Sequence, residues 1–347
     1  MIPILYENTE TAFQTNGIGR LSDATACTVS ERLNDFYTLT LAYAADGLHA
    51  GDLRTGRLIL ATPSDGTRPQ PFRIYEVSKR LDGLIEVLAN HISYDLSGYP
   101  MRNASGTTAA GAVATLSSRA IIAPPFDFST DLSVTKDWQL VGPSSIRAQM
   151  GGSEESIQGV YGGEWLFDRY DCKLLASRGS DNGVSIRYGK NLTDLNAVSN
   201  EEEAFTGVLA YYLNGSDYAS SNIQYLDSSA VPPRIQLVDH TSDYESKPST
   251  ADLDVDATAD LAKIAGVTDS LTVSFAALWQ FDEYKDLRQT ERVGLGDFVT
   301  VVYEDYGIRT KLEVVQTDYN VLLDRYDTIE LGVIRSTLAD TIANLSK

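Results

Sequence analysis

The chain has 347 residues, enough for about two or three domains of ordinary size, and its 43% hydrophobic and 22% charged content is that of a globular protein with real cores. No apolar run is long enough to cross a bilayer as a helix, and the N-terminus MIPILYENTE lacks the basic flank and long apolar core of a signal peptide. A formal net charge of -20 argues against a surface that grips nucleic acid, which needs Lys and Arg to displace counterions, but suits a surface that nucleic acid slides past.

Taken in order, Pro3-Ile4-Leu5-Tyr6 reads as the entry to a first strand. Ala26, Thr28 and Val29 carry strand signals, residues 31–35 read as a polar turn, and residues 37–43 (YTLTLAY) alternate as a β-rich run. Ala44-Ala45-Asp46-Gly47 breaks it. Residues 57–61 form another strand, and Ser64-Asp65-Gly66 turns. Residues 71–96 then read as a β-hairpin with a short polar exit. Phe72, Ile74 and Val77 lie in one arm, Leu84, Ile85, Val87 and Leu88 in the other, and Asp82-Gly83 supplies the turn because Gly tolerates positive φ. Short strands at turn-punctuated spacing predict a barrel or sandwich rather than a parallel sheet.

After Leu96 the pattern changes. Residues 107–119 are Ala-rich and predict a helix with Thr107 or Thr108 as N-cap, ended by Pro124-Pro125. Residues 126–140 are irregular with short strands, residues 144–150 and 153–161 read as short helices, and residues 162–175 as a strand pair; together they make an inserted α/β module. Residues 183–192 form a strand leading into a turn, and residues 205–212 and 235–238 are further strands. Residues 214–233, rich in Ser, Asn, Asp and Pro, read as a long exposed loop. Residues 254–265 read as a helix with Leu261 and Ile264 on one face, acids in its first turns and Gly266 as C-cap.

The order of the first domain then returns. Residues 271–278 resemble 37–43, and residues 295–302 resemble the strand after Gly56. Residues 310–315 take the place of 72–77, and residues 327–332 that of 84–89. The gap from Gly56 to Phe72 closely matches that from Gly296 to Leu312. One repeated pair is too few for a solenoid and implies two similar domains.

Residues with chemical potential are few. Cys27 and Cys172 are far apart and outside any CxxC, so the sequence shows no disulfide scaffold and no zinc cluster. His49, His91 and His240 lie in no metal-ligand spacing, and no GxSxG elbow or Walker A loop occurs. Gly17-Ile18-Gly19 and Gly294-Leu295-Gly296 lack the third glycine of a dinucleotide fingerprint and read as turns. Asp252, Asp254 and Asp256 alternate like a calcium loop, but Ala257 and Lys263 stand where it needs Gly and Glu, so an acidic helix start is the better reading. His91 with Asp95 could form an acid–base pair, against the commoner structural role of a histidine near a strand end. Glu164 and Asp168 could be paired hydrolase carboxylates, but nothing nearby supplies a cleft. Trp138, Trp165 and Tyr170 are stacking candidates for a carbohydrate, although such aromatics are more often core. No catalytic, cofactor or metal residue is assigned, and no cofactor is expected.

Three stretches, FRIYEVSKRLDGLIEVLANHISYDLSG, GGEWLFDRYDCKLLASRGSDNGVSIRYGKNLTDL and VGLGDFVTVVYEDYGIRTKLEVVQTDYNVLLDRYDTIELG, resemble the N-terminal region of tail-associated minor structural proteins of long-tailed phages and prophages, the prophage tail endopeptidase (Tal) family. The resemblance covers nearly the whole chain, with YGKNLTDL and HISYDL its more specific parts. It implies the fold of a baseplate hub: α+β, mainly β, with two similar β-barrel domains and an inserted α/β module. The corresponding divisions are residues 1–98, 99–194, 195–266, 267–335 and 336–347: first barrel, module, connecting strands with loop and helix, second barrel, and a C-terminal helix start. It further implies a homotrimer whose six barrels present a pseudo-sixfold ring to the hexameric tail tube, with the module outside the ring. Tail tube, distal tail and fibre or receptor-binding proteins would be its partners, DNA would pass without specific binding, and the place would be the virion tail tip after assembly in the bacterial cytoplasm. Longer members carry a C-terminal peptidase, lysin or fibre-like region. Here the chain ends at Lys347 soon after a helix start at 336–345, so peptidase activity is not expected. A cell-wall hydrolase and a host-surface carbohydrate-binding module are the alternatives.

Overall fold

A computed structural model describes residues 2–187, 192–200, 205–226, 228–229, 232–244, 246–261, 268–275, 292–304 and 308–332. The expected turn at Gly189-Lys190-Asn191, the end of the 271–278 strand, the Ile264 face, the Gly266 cap and the 336–345 helix start lie outside these residues.

Strands of three residues or more are numbered in chain order. The alternating runs near the N-terminus become β1 (Ile4–Tyr6), β2 (Ala24–Arg32), β3 (Tyr37–Ala44), β4 (Leu58–Ala61), β5 (Gln70–Lys79) and β6 (Leu84–His91). The polar turn is shorter than the sequence suggests. β2 runs through Glu31 and Arg32, and Asn34, an amino acid that tolerates left-handed backbone, turns the chain at φ 58°. Next come β7 (Ala104–Thr108), α1 (Ala109–Ser118), β8 (Asp127–Thr130), β9 (Thr135–Leu140), α2 (Ile146–Met150), α3 (Ile157–Tyr161), β10 (Glu164–Asp168) and β11 (Asp171–Leu175). All three helices start on a hydroxyl N-cap: Thr108, Ser145 and Ser156 accept from the amides of Gly111, Ala148 and Gly159. β12 (Asp181–Arg187) and β13 (Leu192–Asn200) follow.

The chain divides into two compact units, one built on residues 1–195 and from 272 onward, the other on 196–271. In the first, an eleven-stranded sheet carries β1 to β6, β12 and the late strands β18 (Phe298–Tyr303), β19 (Ile308–Asn320) and β20 (Arg325–Gly332). Its order is β12-β18-β19-β2-β3-β6-β5-β4-β1, closed by the two residues Gly19–Arg20, with β20 on the far side of β19. The expected antiparallel character holds for most pairs, but β12 runs parallel to β18, and β8 parallel to β11. Parallel pairs need a long crossover, and in both cases the chain supplies one.

The continuous apolar runs of β1 and β4 have a physical cause: both faces are covered. Leu5, Ile59 and Ala61 join one core with Leu39, Leu41, Phe72, Ile74 and Val87. Ile4, Tyr6, Leu58 and Leu60 point the other way, into a core shared with Val113, Leu116, Trp138, Ile146, Ile157, Trp165 and Leu174 of the inserted segment. Cys27 and Cys172 are buried as free thiols in these two separate cores, and burial pushes both thiols up, Cys27 to about 12.

In the second unit, β14 (Gly207–Asn214) pairs antiparallel with β15 (Asp217–Ser220) and parallel with β16 (Ile235–Asp239). Val208, Ala210 and Tyr212 pack on Leu253 and Ala257 of α4 (Thr250–Leu261). Two readings are corrected here. Residues 214–233 are not one long loop: Gly215, at φ 62°, turns β14 directly into β15, and Gln224–Tyr225 adds a further short strand. The helix also starts earlier than residue 254. Ser249 and Asp252 form a reciprocal capping box, the Ser249 amide donating to Asp252 Oδ2 at 3.0 Å and the Asp252 amide to Ser249 Oγ at 3.3 Å. β17 (Thr268–Phe275) pairs with β13 as a separate two-stranded sheet.

Candidate functional site: the repeated strand unit and its junction

The feature that organises the first unit is a three-strand unit made twice. β4–β5–β6 and β18–β19–β20 are both antiparallel meanders. The offset of 240 that carries Gly56 to Gly296 also carries the whole first register onto the second. Leu58↔Arg73, Ile59↔Phe72, Leu60↔Pro71 and Ala61↔Gln70 become Phe298↔Glu313, Val299↔Leu312, Thr300↔Lys311 and Val301↔Thr310. The entry turns match bond for bond. The Gly56 amide donates to Ile74 O at 2.8 Å and the Ile74 amide to Arg57 O at 2.9 Å; the Gly296 amide donates to Val314 O and the Val314 amide to Asp297 O, both at 2.9 Å. Gly56 and Gly296 share φ 88°, a region closed to most side chains. A β-bulge falls between Ile74 and Glu76 and again between Val314 and Gln316. The returning strand is one residue out from the sequence reading: Leu331, not Gly332, opposes Val314 as Ala89 opposes Ile74.

The two copies differ in what lies beyond the bulge. β19 is long: its outer edge pairs with β18 over residues 308–313 and then with β2, Gln316↔Arg32 through Asn320↔Thr28. The second copy is thereby sewn to the first. The Leu33 amide donates to Val315 O and the Val321 amide to Cys27 O, both at 2.9 Å. Arg32 Nη1 donates to Gln316 Oε1 at 2.7 Å and to Glu330 Oε2 at 3.0 Å, and Ser30 Oγ donates to Asp318 Oδ1 at 2.6 Å. Next to this seam, Arg178 Nη1 bonds Glu31 Oε1 at 2.7 Å with both side chains about nine-tenths buried. Glu313 is also buried here. Desolvation, then the charge of Glu164 and a hydrogen bond to it, push its carboxyl up to about 8.

Comparisons with known proteins bear on this architecture. Residues 180–342 match the model of the prophage endopeptidase tail family. Among solved structures, prophage tail protein gp18 from Listeria monocytogenes EGD-e superposes with a TM-score of 0.59 at 14% identity, covering 100% of this chain and 98% of that one. The 43 kDa tail protein of prophage MuSo2 from Shewanella oneidensis gives 0.62 at 10% identity, covering 99% and 100%. A tail protein from Neisseria meningitidis MC58 gives 0.60 at 10%, covering 98% of each. The chain has the fold of prophage tail proteins. No curated protein matches it.

Within this prophage tail fold, the isolated candidates from the sequence occupy structural places. His91 does not pair with Asp95. It is fully buried and stacked on Tyr37, centroids 4.5 Å apart. Its Nδ1 accepts from the Ser93 amide at 3.2 Å, and burial drives its pKa well down, so the neutral ring donates through Nε2 to Gln70 Oε1 at 3.4 Å. Gln70 Nε2 in turn donates to Asp168 Oδ1 at 2.7 Å. Asp95 is instead gripped by the Arg73 guanidinium, Nε and Nη2 each at 2.8 Å.

Glu164 and Asp168 sit at opposite ends of β10, about 13 Å apart at the strand rise of ~3.3 Å per residue. That exceeds the roughly 5–9.5 Å of a glycosidase carboxylate pair. Glu164 Oε2 accepts from the Arg178 amide at 2.7 Å, and Asp168 faces Gln70 and Arg68. Trp138 and Trp165 are each 3% exposed and donate their indole N–H to the carbonyls of Glu155 and Met150 at 2.9 Å, so neither offers a stacking face; Tyr170 packs edge-on to Phe126. A cleft of about 380 Å³ lies beside Tyr37, Tyr94, Arg147, Trp165, Phe167 and Arg178. Its cations are already engaged: Arg178 with Glu31, Arg32 with Gln316 and Glu330, and Arg147 with Ser93 Oγ and the faces of Tyr94 and Phe167.

His49 bonds Asp52, and His240 lies between Asp243 and Asp260, each contact 2.7 Å. Asp252, Asp254 and Asp256 turn to three different partners, Ser249, Asn222 and Tyr244. No cluster able to hold a metal occurs among the described residues. The residues that sequence reasoning missed are Arg32, Glu31, Arg178 and Glu313. Each is an ordinary charged residue in the sequence and gains meaning only where distant strands meet.

Proposed function

We propose that the chain is a structural hub of a phage tail tip, and not an enzyme. Three copies close a ring in which the six strand units surround a channel, and the ring joins the tail tube to distal or fibre proteins. The observation that carries this reading is the register-matched repeat. A trimer of a chain with two near-equivalent units can present six similar surfaces to a hexameric tube, which a single-unit trimer cannot. The two units would be closed barrels, with residues 1–98 and 267–335 as their spans and residues 99–194 outside the ring. The net charge of -20 then serves passage, since an acidic lumen repels the phosphate backbone. The fold shared with prophage tail proteins supports the reading. Electron microscopy and light scattering test it: a ring-shaped trimer is expected, and a monomer stable at micromolar to tens of micromolar concentration would overturn it. Peptidoglycan release that is lost in Glu164→Gln or Asp168→Asn would overturn the non-enzymatic part.

A further inference from the structure

The two strand units are joined inside one chain at an edge that the first unit leaves bare among the described residues. In the second unit, the outer edge of β19 past its bulge is covered by β2, and Val315, Thr317 and Tyr319 are 4%, 2% and 0% exposed. The same edge of β5 in the first unit pairs with β4 only up to the entry turn, and no strand among the described residues pairs with it over 75–79. Tyr75, the counterpart of Val315, is 52% exposed, and Glu76 and Lys79 are exposed as well. A bare edge in the middle of an otherwise paired unit is a template for another strand.

We infer that this edge, residues 75–79 of β5, takes up β13 of a second copy of this chain, as the β19 edge takes up β2 of its own. β13 is the counterpart of β2 by position. β2 and β3 pair with each other and precede β4, and β13 and β17 pair with each other and precede β18. The two strands also share a short sequence, Val29-Ser30 in one and Val198-Ser199 in the other. Ser30 lies opposite Asp318, whose counterpart in the first unit is Ser78, so this alignment sets Ser199 opposite Ser78. The contact is head to tail: edge of one copy, β13 of the next. Such a contact either closes a ring or grows a filament. Within a ring, units would alternate between in-chain and between-chain seams of one geometry. The inference rests on the hub reading and names the surface that makes the ring.

Cysteine cross-linking tests it. Native Cys27 and Cys172 are buried and do not compete. Ser78→Cys protein is mixed in equal amounts with protein carrying cysteine at one of residues 197 to 200, assembled and mildly oxidised. Covalent dimers are expected in the mixture, strongest with Ser199→Cys, and not in either variant alone. Ser118→Cys in place of Ser78→Cys, an exposed position on α1, should give none. Hydrogen exchange on unmodified protein is the second readout: amides 75–79 should exchange at least ten-fold more slowly in the assembled form than after dilution to monomer. A trimer in which 75–79 exchange freely and no mixed dimer forms overturns the strand-edge inference while leaving the ring standing. A protein that stays monomeric overturns both.

Discussion

The two strand units have one register and opposite fates at a single edge. In β19 that edge is closed by β2 and locked by Arg32, Ser30 and the buried Arg178–Glu31 pair. In β5 it is bare among the described residues, and the position matched to Glu313 is Arg73, satisfied locally by Asp95. The lesson is that backbone register was held while side chains diverged to suit what each edge meets. A duplicated unit stays superposable through its glycines, bulge and pairing; its charges record its neighbours.

The largest effect is expected where the copies differ most. Glu31→Gln should remove the carboxylate that pairs with Arg178 Nη1 at 2.7 Å and cost about 3–5 kcal/mol in urea unfolding, because a buried guanidinium loses its bonded counter-charge. Glu31→Leu combined with Arg178→Met should recover most of that loss; a single-variant cost under about 1 kcal/mol would mean the seam does not depend on the pair.

Next come the matched glycines. Gly56→Ala and Gly296→Ala both force a side chain to φ 88° at a cost of about 1–2 kcal/mol. Gly56 faces open space, whereas a Cβ at Gly296 would lie 2.9 Å from the Gly179 amide nitrogen. Thermal unfolding should therefore show Gly296→Ala as the more damaging; the reverse order would break the equivalence of the two turns.

The matched pair Arg73 and Glu313 gives a pH signature. Below about 4.5 both folded and unfolded states hold the Glu313 proton. As pH rises the unfolded chain releases it first, while the folded carboxyl keeps it until about 8, so this group lowers stability progressively between those values. Glu313→Gln should flatten the decline across that window. If the stability–pH curves of variant and parent stay parallel there, the carboxyl is not carrying a proton in the fold.

The smallest change is expected at the return turns. Gly83 precedes β6 at φ 81°, and Asp324 precedes β20 at φ 56°. Asp324→Gly should shift stability by less than about 0.5 kcal/mol, since relief of left-handed backbone offsets the lost 2.9 Å bond from Tyr319. Calorimetry showing a gain above about 1 kcal/mol would mark Asp324 as strained without compensation.

What the sequence disclosed was local. Asp82-Gly83, the alternation of residues 37–43, the Thr108 cap and the spacing from Gly56 to Phe72 all encode contacts within a few dozen residues, and each reappears in the fold. The 214–233 region reads as a loop because its polar composition outweighs Asn214-Gly215, a turn signal that a half-exposed hairpin needs and a loop does not. The Ser249–Asp252 box was likewise present but overshadowed by the acids after it. The seam of β19 with β2 was not legible at all. Its partners lie nearly the whole chain apart, and neither strand's pattern says which edge it will meet.

Ile4, Tyr6, Leu58 and Leu60 face a core completed by Val113, Leu116, Trp138 and Trp165. The inserted segment is thus masonry rather than ornament. Removing it by genetic excision would strip one side of β1 and β4, near one end of the large sheet, and leave an oily wall facing water. A shortened chain of this kind should aggregate unless those four positions are recoded as polar, and grafting a foreign module at the same place would require carrying over its underside along with its outer loops.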